Sequence, residues 1–283
     1  MILIADSGST STTWCLITDE SSNIDICETA GINPFLQSSA EISETLRNEF
    51  TLLKGPFEAI HFYGAGCANP EKNDKVRRSM HEYFDSENIF VDSDLMAAAR
   101  SLCGTGPGIA AILGTGSNSC FYDGNQIIKH VSPLGYILGD EGSGTVLGKK
   151  LLSDILKNQL PEEICRRFYN KYNLEPSEIL DRIYRKPFPN RFMAQFTHFI
   201  AANTDHPSIH KLVKDSFSEF FIRNIRQLPE AGRLPVNVTG SIGFHFRNIL
   251  AEAADETGFK TGLITKAPMD GLLEYHRRKT TQS

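Results

Sequence analysis

The sequence predicts an α/β protein with two lobes, each built on a strand, a tight glycine-rich turn and a returning strand. Its 283 residues can bury more than one core, and 40% of them are hydrophobic, which is ordinary for a globular protein. Residues 2–5 form an apolar run that ends in a turn of glycine, serine and threonine, and a second strand, 14–18, follows at once. Residues 109–113 form another apolar run that breaks at 114–118 and then resumes as a strand. The recurrence indicates an internal duplication.

In the first half of the chain, predicted strands and helices alternate. Apolar residues at helical spacing predict an amphipathic helix over 40–53, and a charged helix is expected over 69–84. Strands are expected at 59–63 and at 88–91. His61 lies within the first of these strands and is more typical of packing than of a ligand.

The segment 92–94 combines aspartate and serine just before an alanine-rich run, which predicts the start of a helix. Either Asp92 or Ser93 could be the N-cap. Asp94 would then lie in the first turn, where the positive end of the helix keeps its carboxylate ionised. A general base would be placed at the same kind of position, and the residue types alone do not choose between the two uses.

The second half is predicted to be mostly helical from 145 to 228. A strand at 235–238 then runs into the glycine turn 239–243 and a helix expected over 244–257. A strand that ends in a glycine turn at a helix start is a common binding site for anions and nucleotides.

Two sets of polar residues have ordinary structural interpretations. Asn33 precedes Pro34, which favours an extended backbone, and its side chain would more commonly cap the turn than bind a ligand. His206 and His210 lie four residues apart without an accompanying cysteine or carboxylate. A helix start is therefore a better interpretation of the two histidines than a metal site.

The glycine-rich turns carry the chemistry of the predicted site. The turns at 8–10 and 114–118 gather backbone N–H groups and small hydroxyls, which suit an anion such as phosphate. The segment 139–144 places Asp140 and Glu141 among glycines, which allow close approach to the backbone. Together these segments predict a phosphate cradle beside an acidic pocket that binds hydroxyl groups.

Charge and cysteine usage restrict the function classes. A net charge of -5 argues against nucleic acid as the main partner, and the basic segment 276–279 is expected to be solvated. No stretch reaches the roughly 18 to 20 apolar residues of a membrane span, and the N-terminus lacks the features of a signal peptide. The six cysteines form no CxxC pair, which is typical of reduced thiols in a cytoplasmic protein.

Seven short motifs in order then identify a resemblance that covers nearly the whole chain. They are DSGST at residue 6, GINPF at 31, SDLMAAA at 93, GTGSN at 114, GDEGSG at 139, GSI at 240 and PMDGLLEYH at 268. In these motifs the chain resembles the BadF/BadG/BcrA/BcrD ATPase family of the sugar kinase/Hsp70/actin superfamily, and most closely its N-acetylglucosamine kinase-like branch.

The resemblance implies an actin-like ATPase fold, a duplicated ribonuclease H-like architecture with a cleft between two lobes. The first lobe would comprise residues 1–103 together with a C-terminal helix at 271–283. The second would comprise 104–270, with helical insertions.

The resemblance also implies an ATP-dependent kinase that phosphorylates the 6-hydroxyl of N-acetylglucosamine or a related hexosamine. Asp94 would be the general base, and Asp6 would lie near Mg²⁺, through water. The residues implied to hold ATP and its phosphates are Gly8, Ser9, Thr10, Thr115, Gly116, Gly240, Ser241 and His245. Those implied to contact the amino sugar, besides Asp94, are Asn33, Ser117, Asn118, Gly135 and Asp140.

The chain departs from the family pattern at the first phosphate turn, where Ser11-Thr12-Thr13 replaces the usual Lys-Thr-Asp. Loss of a lysine beside phosphates would weaken nucleotide binding or slow turnover, which leaves a non-catalytic, sugar-binding regulator as an alternative. A second alternative is the family's other activity, an ATPase activator of a 2-hydroxyacyl-CoA dehydratase type system, which holds an iron–sulfur cluster. Cys67 and Cys103 do not lie in such a motif. The identity of the hexosamine and the oligomeric state, with a homodimer among the options, are left open.

Overall fold

The computed structural model describes residues 1–8, 10–18, 24–67, 69–84 and 86–280. The chain divides into two compact units, of which the first comprises Met1–Thr105 with Pro268–Ser283 and the second Gly106–Ala267. Each unit contains a five-stranded sheet and helices, so the predicted α/β class is confirmed.

The sheet of the first unit has the order β3-β2-β1-β4-β5. Its strands are β1 (Ile2–Ser7), β2 (Ser11–Ile17), β3 (Ile24–Ala30), β4 (Ala59–Gly64) and β5 (Ile89–Ser93). The first three strands pair antiparallel, whereas β1, β4 and β5 run parallel. The carboxyl ends of β1, β4 and β5 therefore meet at one edge of the sheet.

Helices cover both faces of this sheet. They are α1 (Ser39–Glu49), α2 (Pro70–His81), α3 (Asp94–Cys103) and a C-terminal helix (Met269–Thr280). On one face, the ring of Trp14 packs against Phe50 with centroids 5.3 Å apart. The backbone of Phe50 is extended, with ψ 120°, so α1 ends at Glu49. The observed helix therefore stops four residues before the end of the predicted helix, 40–53.

The sheet of the second unit has the order β10-β9-β6-β7-β8. Its strands are β6 (Gly108–Leu113), β7 (Ser117–Tyr122), β8 (Ile127–Val131), β9 (Val236–Thr239) and β10 (Thr261–Thr265). Here β6, β7 and β8 pair antiparallel, and β6, β9 and β10 run parallel. This is the topology of the first sheet strand for strand, which confirms the predicted duplication.

The second unit carries most of the helices. They are α4 (Gly135–Leu138), α5 (Gly144–Leu156), α6 (Glu162–Tyr172), α7 (Pro176–Tyr184), α8 (Pro189–Ala194), α9 (Thr197–Ala201), α10 (Pro207–Arg223), a 3₁₀ turn (Ile225–Gln227), α11 (Ser241–His245) and α12 (Arg247–Thr257). The core between α5 and α10 is apolar, and Leu147, Leu151, Phe217 and Phe220 are all fully buried. None of the described helices combines the length and hydrophobicity needed to cross a membrane.

The ordinary interpretations of three histidines are confirmed. His61 stacks on Phe90, with ring centroids 5.0 Å apart. His206 is the N-cap of α10 and accepts a hydrogen bond from the N–H of Ser208, while His210 pairs with a surface glutamate. These side chains therefore serve packing, capping and surface pairing.

Candidate functional site

Two carboxylates lie at the carboxyl edge of the first sheet, and both were predicted from sequence. Ser7, Gly64 and Ser93 are in register across β1, β4 and β5. Asp6 precedes the first of these residues and Asp94 follows the last, as the first residue of α3. Gly64 lies on β4, between the two strands that carry the acids, and a Cβ there would be 2.6 Å from the ring of Phe62.

Burial raises the pKa of both carboxyl groups, and the charge of Asp94 adds to the shift of Asp6. Burial, and then the charge of Asp94, raise the pKa of Asp6 to about 7. Burial also raises the pKa of Asp94, although hydrogen bonds from the backbone N–H groups of Asp94 and Leu95 act in the opposite direction. Ser93 is the N-cap of α3 and accepts a hydrogen bond from Met96 N–H at 3.2 Å, so the cap and the candidate base are different residues.

The pair fits a hard divalent cation. Carboxylate oxygens suit Mg²⁺, which commonly takes only one or two carboxylates and keeps waters or phosphate oxygens as its other ligands. Among the residues the structure describes, no three histidine, cysteine, aspartate or glutamate side chains gather as a metal cage. Asp6 can therefore contribute to such a site only together with water or substrate oxygens.

The first phosphate turn joins β1 to β2. Gly8 N–H donates to the carbonyl of Ser11 at 3.0 Å, which closes the turn, and Thr10 and Ser11 are exposed. Ser9, which was also assigned to this site, lies outside the described residues. Ser11 is the position at which the family usually has lysine, and its exposure means that a longer side chain there would meet no buried neighbour.

Buried hydroxyls that the sequence reasoning missed hold this turn in place. Ser7 Oγ and Thr12 Oγ1 lie 2.7 Å apart, and both residues are fully buried. Ser7 also accepts the N–H of Ile32 at 2.9 Å, and the Thr12 hydroxyl donates to the carbonyl of Ala30 at 3.2 Å. The available signal was a serine and a threonine at inward positions of two apolar strands. Their hydrogen bonds tie the turn to the segment that leads into Asn33.

Asn33 itself is used in its own turn. Its Oδ1 accepts the N–H of Phe35 at 2.9 Å, and its backbone N–H donates to Oε1 of Gln37 at 2.7 Å. The turn-capping interpretation is confirmed, and the sugar contact stays a prediction.

The second glycine turn, between β6 and β7, is held by the start of α5. Gly144 N–H donates to the carbonyl of Gly114 at 2.8 Å, and Thr145 N–H donates to that of Thr115 at 3.1 Å. The Thr145 hydroxyl donates to the same Thr115 carbonyl at 2.7 Å. Ser143 caps α5 through the N–H of Val146. The last glycine of the GDEGSG motif and the threonine that follows it thus hold the GTGSN turn.

Asp140 lies beside this second turn. Its Oδ1 accepts the N–H of Ser117 at 3.3 Å, and its carboxylate oxygen would be 3.3 Å from a Cβ placed on Gly116. Burial raises the pKa of Asp140, and the hydrogen bond from Ser117 partly opposes that shift. The structure therefore brings Gly116, Ser117 and Asp140 together, with the half-buried Asn118 next in the chain.

The neighbouring residues of the acidic motif have other positions. Glu141 forms an ion pair with Arg223 Nε at 2.6 Å and accepts from Asn224 Nδ2 at 3.2 Å, so it anchors α10 instead of facing a ligand. Gly135 has φ +72° at the start of α4, with no atom within 4 Å of where its Cβ would be.

A pocket of about 310 Å³ lies within the second unit, beside α11. It is lined by Thr115, Gly144, Ala194, Thr197, His198, Ala201, Ser241, Ile242, His245 and Phe246. Three of these, Thr115, Ser241 and His245, were assigned to the nucleotide from sequence. Gly240 directly precedes α11, and a Cβ there would be 2.4 Å from the carbonyl oxygen of Leu113.

The opposite wall of the pocket was not predicted. Ala194, Thr197, His198 and Ala201 come from α8 and α9, two short helices within the stretch 145–228 that was predicted to be mostly helical. The hydroxyl of Thr197 donates to the Ala194 carbonyl at 2.7 Å. Small side chains at helical spacing are typical of packing, so no sequence signal marked this wall.

Comparison with solved structures places the chain among sugar kinases. A proposed N-acetylglucosamine kinase from Porphyromonas gingivalis is 45% identical, with a TM-score of 0.90 over 98% of this chain and 99% of that one. A second proposed N-acetylglucosamine kinase, from Chromobacterium violaceum, shares the fold at 19% identity, with a TM-score of 0.76 over 97% and 98% of the two chains.

A more distant structure is a ROK family glucokinase from Streptomyces griseus, in complex with glucose and AMPPNP. It has a TM-score of 0.53 at 12% identity, over 98% of both chains. No family model matches the chain, and no curated protein does either. On the identity to the P. gingivalis protein across almost the whole of both chains, the chain belongs to the BadF/BadG/BcrA/BcrD ATPase family, in its N-acetylglucosamine kinase-like branch.

Proposed function

We propose that the protein transfers the terminal phosphoryl group of ATP to the 6-hydroxyl of N-acetylglucosamine or a related hexosamine, with Asp94 as general base. The observation that carries this proposal is the position of Asp94, which opens α3 at the sheet edge that also holds Asp6. The family supports a sugar kinase, and the P. gingivalis relative supports N-acetylglucosamine as the substrate.

We assign the nucleotide to the pocket of the second unit and to the two glycine-rich turns. The nucleoside fits the 310 Å³ pocket, where Ile242 and Phe246 offer apolar surface and Ser241 and His245 offer polar groups. In the second unit, Thr115 and Gly116 would hold phosphate, and in the first unit the turn at Gly8 and Thr10 would do so. The S. griseus glucokinase is in complex with AMPPNP, an ATP analogue, which agrees with a nucleotide in this fold.

Phosphoryl transfer requires little covalent chemistry from the protein. Its transition state is loose, so positioning and charge neutralisation provide most of the acceleration. The Asp94 carboxylate orients the sugar 6-hydroxyl and accepts its proton, while the hydroxyl oxygen bonds to the terminal phosphorus and the bond from that phosphorus to ADP breaks. Mg²⁺, when held beside Asp6, would neutralise phosphate charge.

The sugar contacts are proposed from the acidic motif and its surroundings. Asp140 is held by Ser117 N–H, so its carboxylate is oriented before a ligand arrives. Asn118 and Gly135 border the same segment, and Asn33 would contribute from the first unit. Carboxylate, amide and hydroxyl groups of this kind match the hydroxyl-rich surface of a hexosamine.

The environment of Cys67 disfavours the alternative function, an ATPase activator with an iron–sulfur cluster. Iron–sulfur clusters are held mainly by cysteine thiolates. Cys67 is 3% exposed, and burial raises the pKa of its thiol to about 12. A thiol in this environment is a poor ligand for a cluster.

A coupled assay for ADP release across a panel of sugars tests the proposal. We expect release with N-acetylglucosamine or a related hexosamine and little without sugar. Asp94→Asn should lower sugar-dependent release by about 10² to 10⁴ while the affinity for ATP stays close to that of the wild type. The matched control is Asp74→Asn, which removes a half-exposed carboxylate from a surface ion pair on α2 and should retain activity. Full activity in Asp94→Asn would show that the base is another residue.

A further inference from the structure

A hydrogen-bonded network around the buried hydroxyl of Tyr63, in the first unit, has no part in the site described so far. Tyr63, on β4, is 1% exposed, and its hydroxyl lies 2.9 Å from Nε2 of His276. Arg100 Nη1 donates to the same hydroxyl at 2.8 Å and to Oδ2 of Asp92 at 3.0 Å. The Arg100 guanidinium also stands 5.5 Å from the ring centroid of Tyr275. One phenol hydroxyl thus joins β4 to both α3 and the C-terminal helix.

The network holds the chain on both sides of Asp94. Asp92 is the next-to-last residue of β5, and Arg100 lies in α3, so the candidate base stands between the two partners of one ion pair. Tyr63 is in register with Asp6 on one side and with Asp92 on the other. The three residues therefore form one row across the sheet and point to the same face.

The C-terminal helix packs against α3 through the last of the seven sequence motifs, PMDGLLEYH. A Cβ on Gly271 would lie 2.3 Å from the carbonyl oxygen of Ser101, so only glycine allows the helix to approach α3 this closely. Leu272 and Leu273 are buried in the same cluster as Ala97 of α3. His276 then reaches the Tyr63 hydroxyl from this helix. The proposed chemistry uses no residue of this motif. Docking on α3 accounts for its glycine, and the contact with Tyr63 of β4 accounts for its histidine.

We propose that Tyr63, Arg100 and His276 are positioning residues that fix the β5–α3 junction and thereby the location of the Asp94 carboxylate. The inference rests on the proposed function. Hydrogen bonds in a protein interior are stronger than in water, so the bonds of Arg100 Nη1 and His276 to the Tyr63 hydroxyl hold the two helices to β4, although Arg100 Nε itself has no partner among the described residues. A misplacement of about 1 Å can cost about 10² in rate. Asp94 is the first residue of α3, directly after β5, so any shift of this junction moves its carboxylate as well.

The test compares two tyrosine-to-phenylalanine variants in the ADP-release assay. Tyr63→Phe removes only the hydroxyl that Arg100 and His276 share. Tyr83→Phe is the matched control, because the Tyr83 hydroxyl is buried and has no hydrogen-bond partner among the residues the structure describes. We expect Tyr63→Phe to lower kcat at least about tenfold, within the cost of a 1 Å misplacement, and to leave the KM for ATP within about twofold. Tyr83→Phe should keep the wild-type kcat.

A pair of substitutions at His276 provides a rescue that does not depend on Tyr63→Phe folding. His276→Gln keeps a polar group that can reach the Tyr63 hydroxyl, whereas His276→Leu does not. We expect kcat to be largely retained by the first variant and reduced by the second, at similar melting temperatures. Equal kcat in these two variants, or an unchanged kcat in folded Tyr63→Phe, would overturn the inference alone. A wild-type protein without sugar-dependent ADP release would overturn the proposed function and this inference with it.

Discussion

Replacing Gly240 by alanine should destabilise the second unit and disturb the nucleotide pocket. Gly240 joins β9 to α11 with φ +118° and ψ 151°, a backbone region that is essentially restricted to glycine. A Cβ at this position would lie 2.4 Å from the carbonyl oxygen of Leu113 and 2.7 Å from its carbonyl carbon. Both atoms belong to the backbone of the buried strand β6, so no side chain can rotate away to relieve the contact.

The size of the effect follows from two contributions. Forcing alanine into this backbone region costs about 1–3 kcal/mol, and overpacking against a fixed backbone costs a further 1–3 kcal/mol or so. We expect the free energy of unfolding to fall by about 3 kcal/mol or more, which corresponds to roughly 2–4 °C in melting temperature for each kcal/mol in a protein of this size. Ser241 and His245 follow directly in α11, so the KM for ATP should rise as well.

Thermal and urea unfolding measure this loss, and Gly258→Ala is the matched control. Gly258 also has a positive φ, +85°, at the end of α12, but no atom lies within 4 Å of its would-be Cβ. The free energy of unfolding of Gly258→Ala should fall only by the cost of placing alanine at a positive φ, about 1–2 kcal/mol. If the two variants lost equal stability, the close approach of Gly240 to Leu113 would not be the reason for glycine there.

Three further predictions concern the pocket, the acidic pair and the first phosphate turn. Ala201→Leu replaces a methyl by an isobutyl group in the pocket wall and should raise the KM for ATP by about tenfold, as an overpacking cost of about 1.4 kcal/mol implies. Ala202→Leu, one residue farther on, also exposed and outside the pocket lining, should leave the KM unchanged. The pKa of Asp6 is raised to about 7 in the folded protein from an ordinary value of 3.8. The unfolded chain therefore releases this proton at about pH 4 and the folded chain only at about pH 7, so the free energy of unfolding falls as pH rises between these values. The melting temperature of Asp6→Asn minus that of the wild type should therefore grow over this range, and a flat difference would contradict the assignment. Ser11→Lys should lower the KM for ATP, with Ser11→Gln as an uncharged control. Equal KM values in the two Ser11 variants would show that the family's lysine charge is not needed.

The elements that could be predicted are those whose signals are local. The strands β1 and β6 are continuous apolar runs, and the glycine turns that follow them stand out by composition. The start of α3 was marked by an aspartate and serine cluster, although the choice of Ser93 over Asp92 as N-cap was left open. Asp92 instead forms an ion pair with Arg100. This contact depends on how α3 packs, so a local sequence pattern cannot reveal it.

The elements that were missed are mainly strands at sheet edges. β3, β8 and β10 each border one of the two sheets. Edge strands are half-exposed and often carry polar side chains, so they lack the apolar run that marks a central strand. The pocket wall from α8 and α9 was missed for a similar reason, because its alanines and threonine carry no chemical signal before the helices are placed around a cavity.

The first unit is assembled from two stretches of chain that are separated by the whole of the second unit. During synthesis on the ribosome, the intervening unit is complete before the C-terminal helix emerges. Until then, one face of the first sheet, with Ile4, Cys15 and Tyr63, has no cover from Leu272 and Leu273. Transiently exposed apolar surface of this kind favours aggregation and chaperone binding. The nascent chain should therefore be most prone to aggregate just before the helix Met269–Thr280 docks.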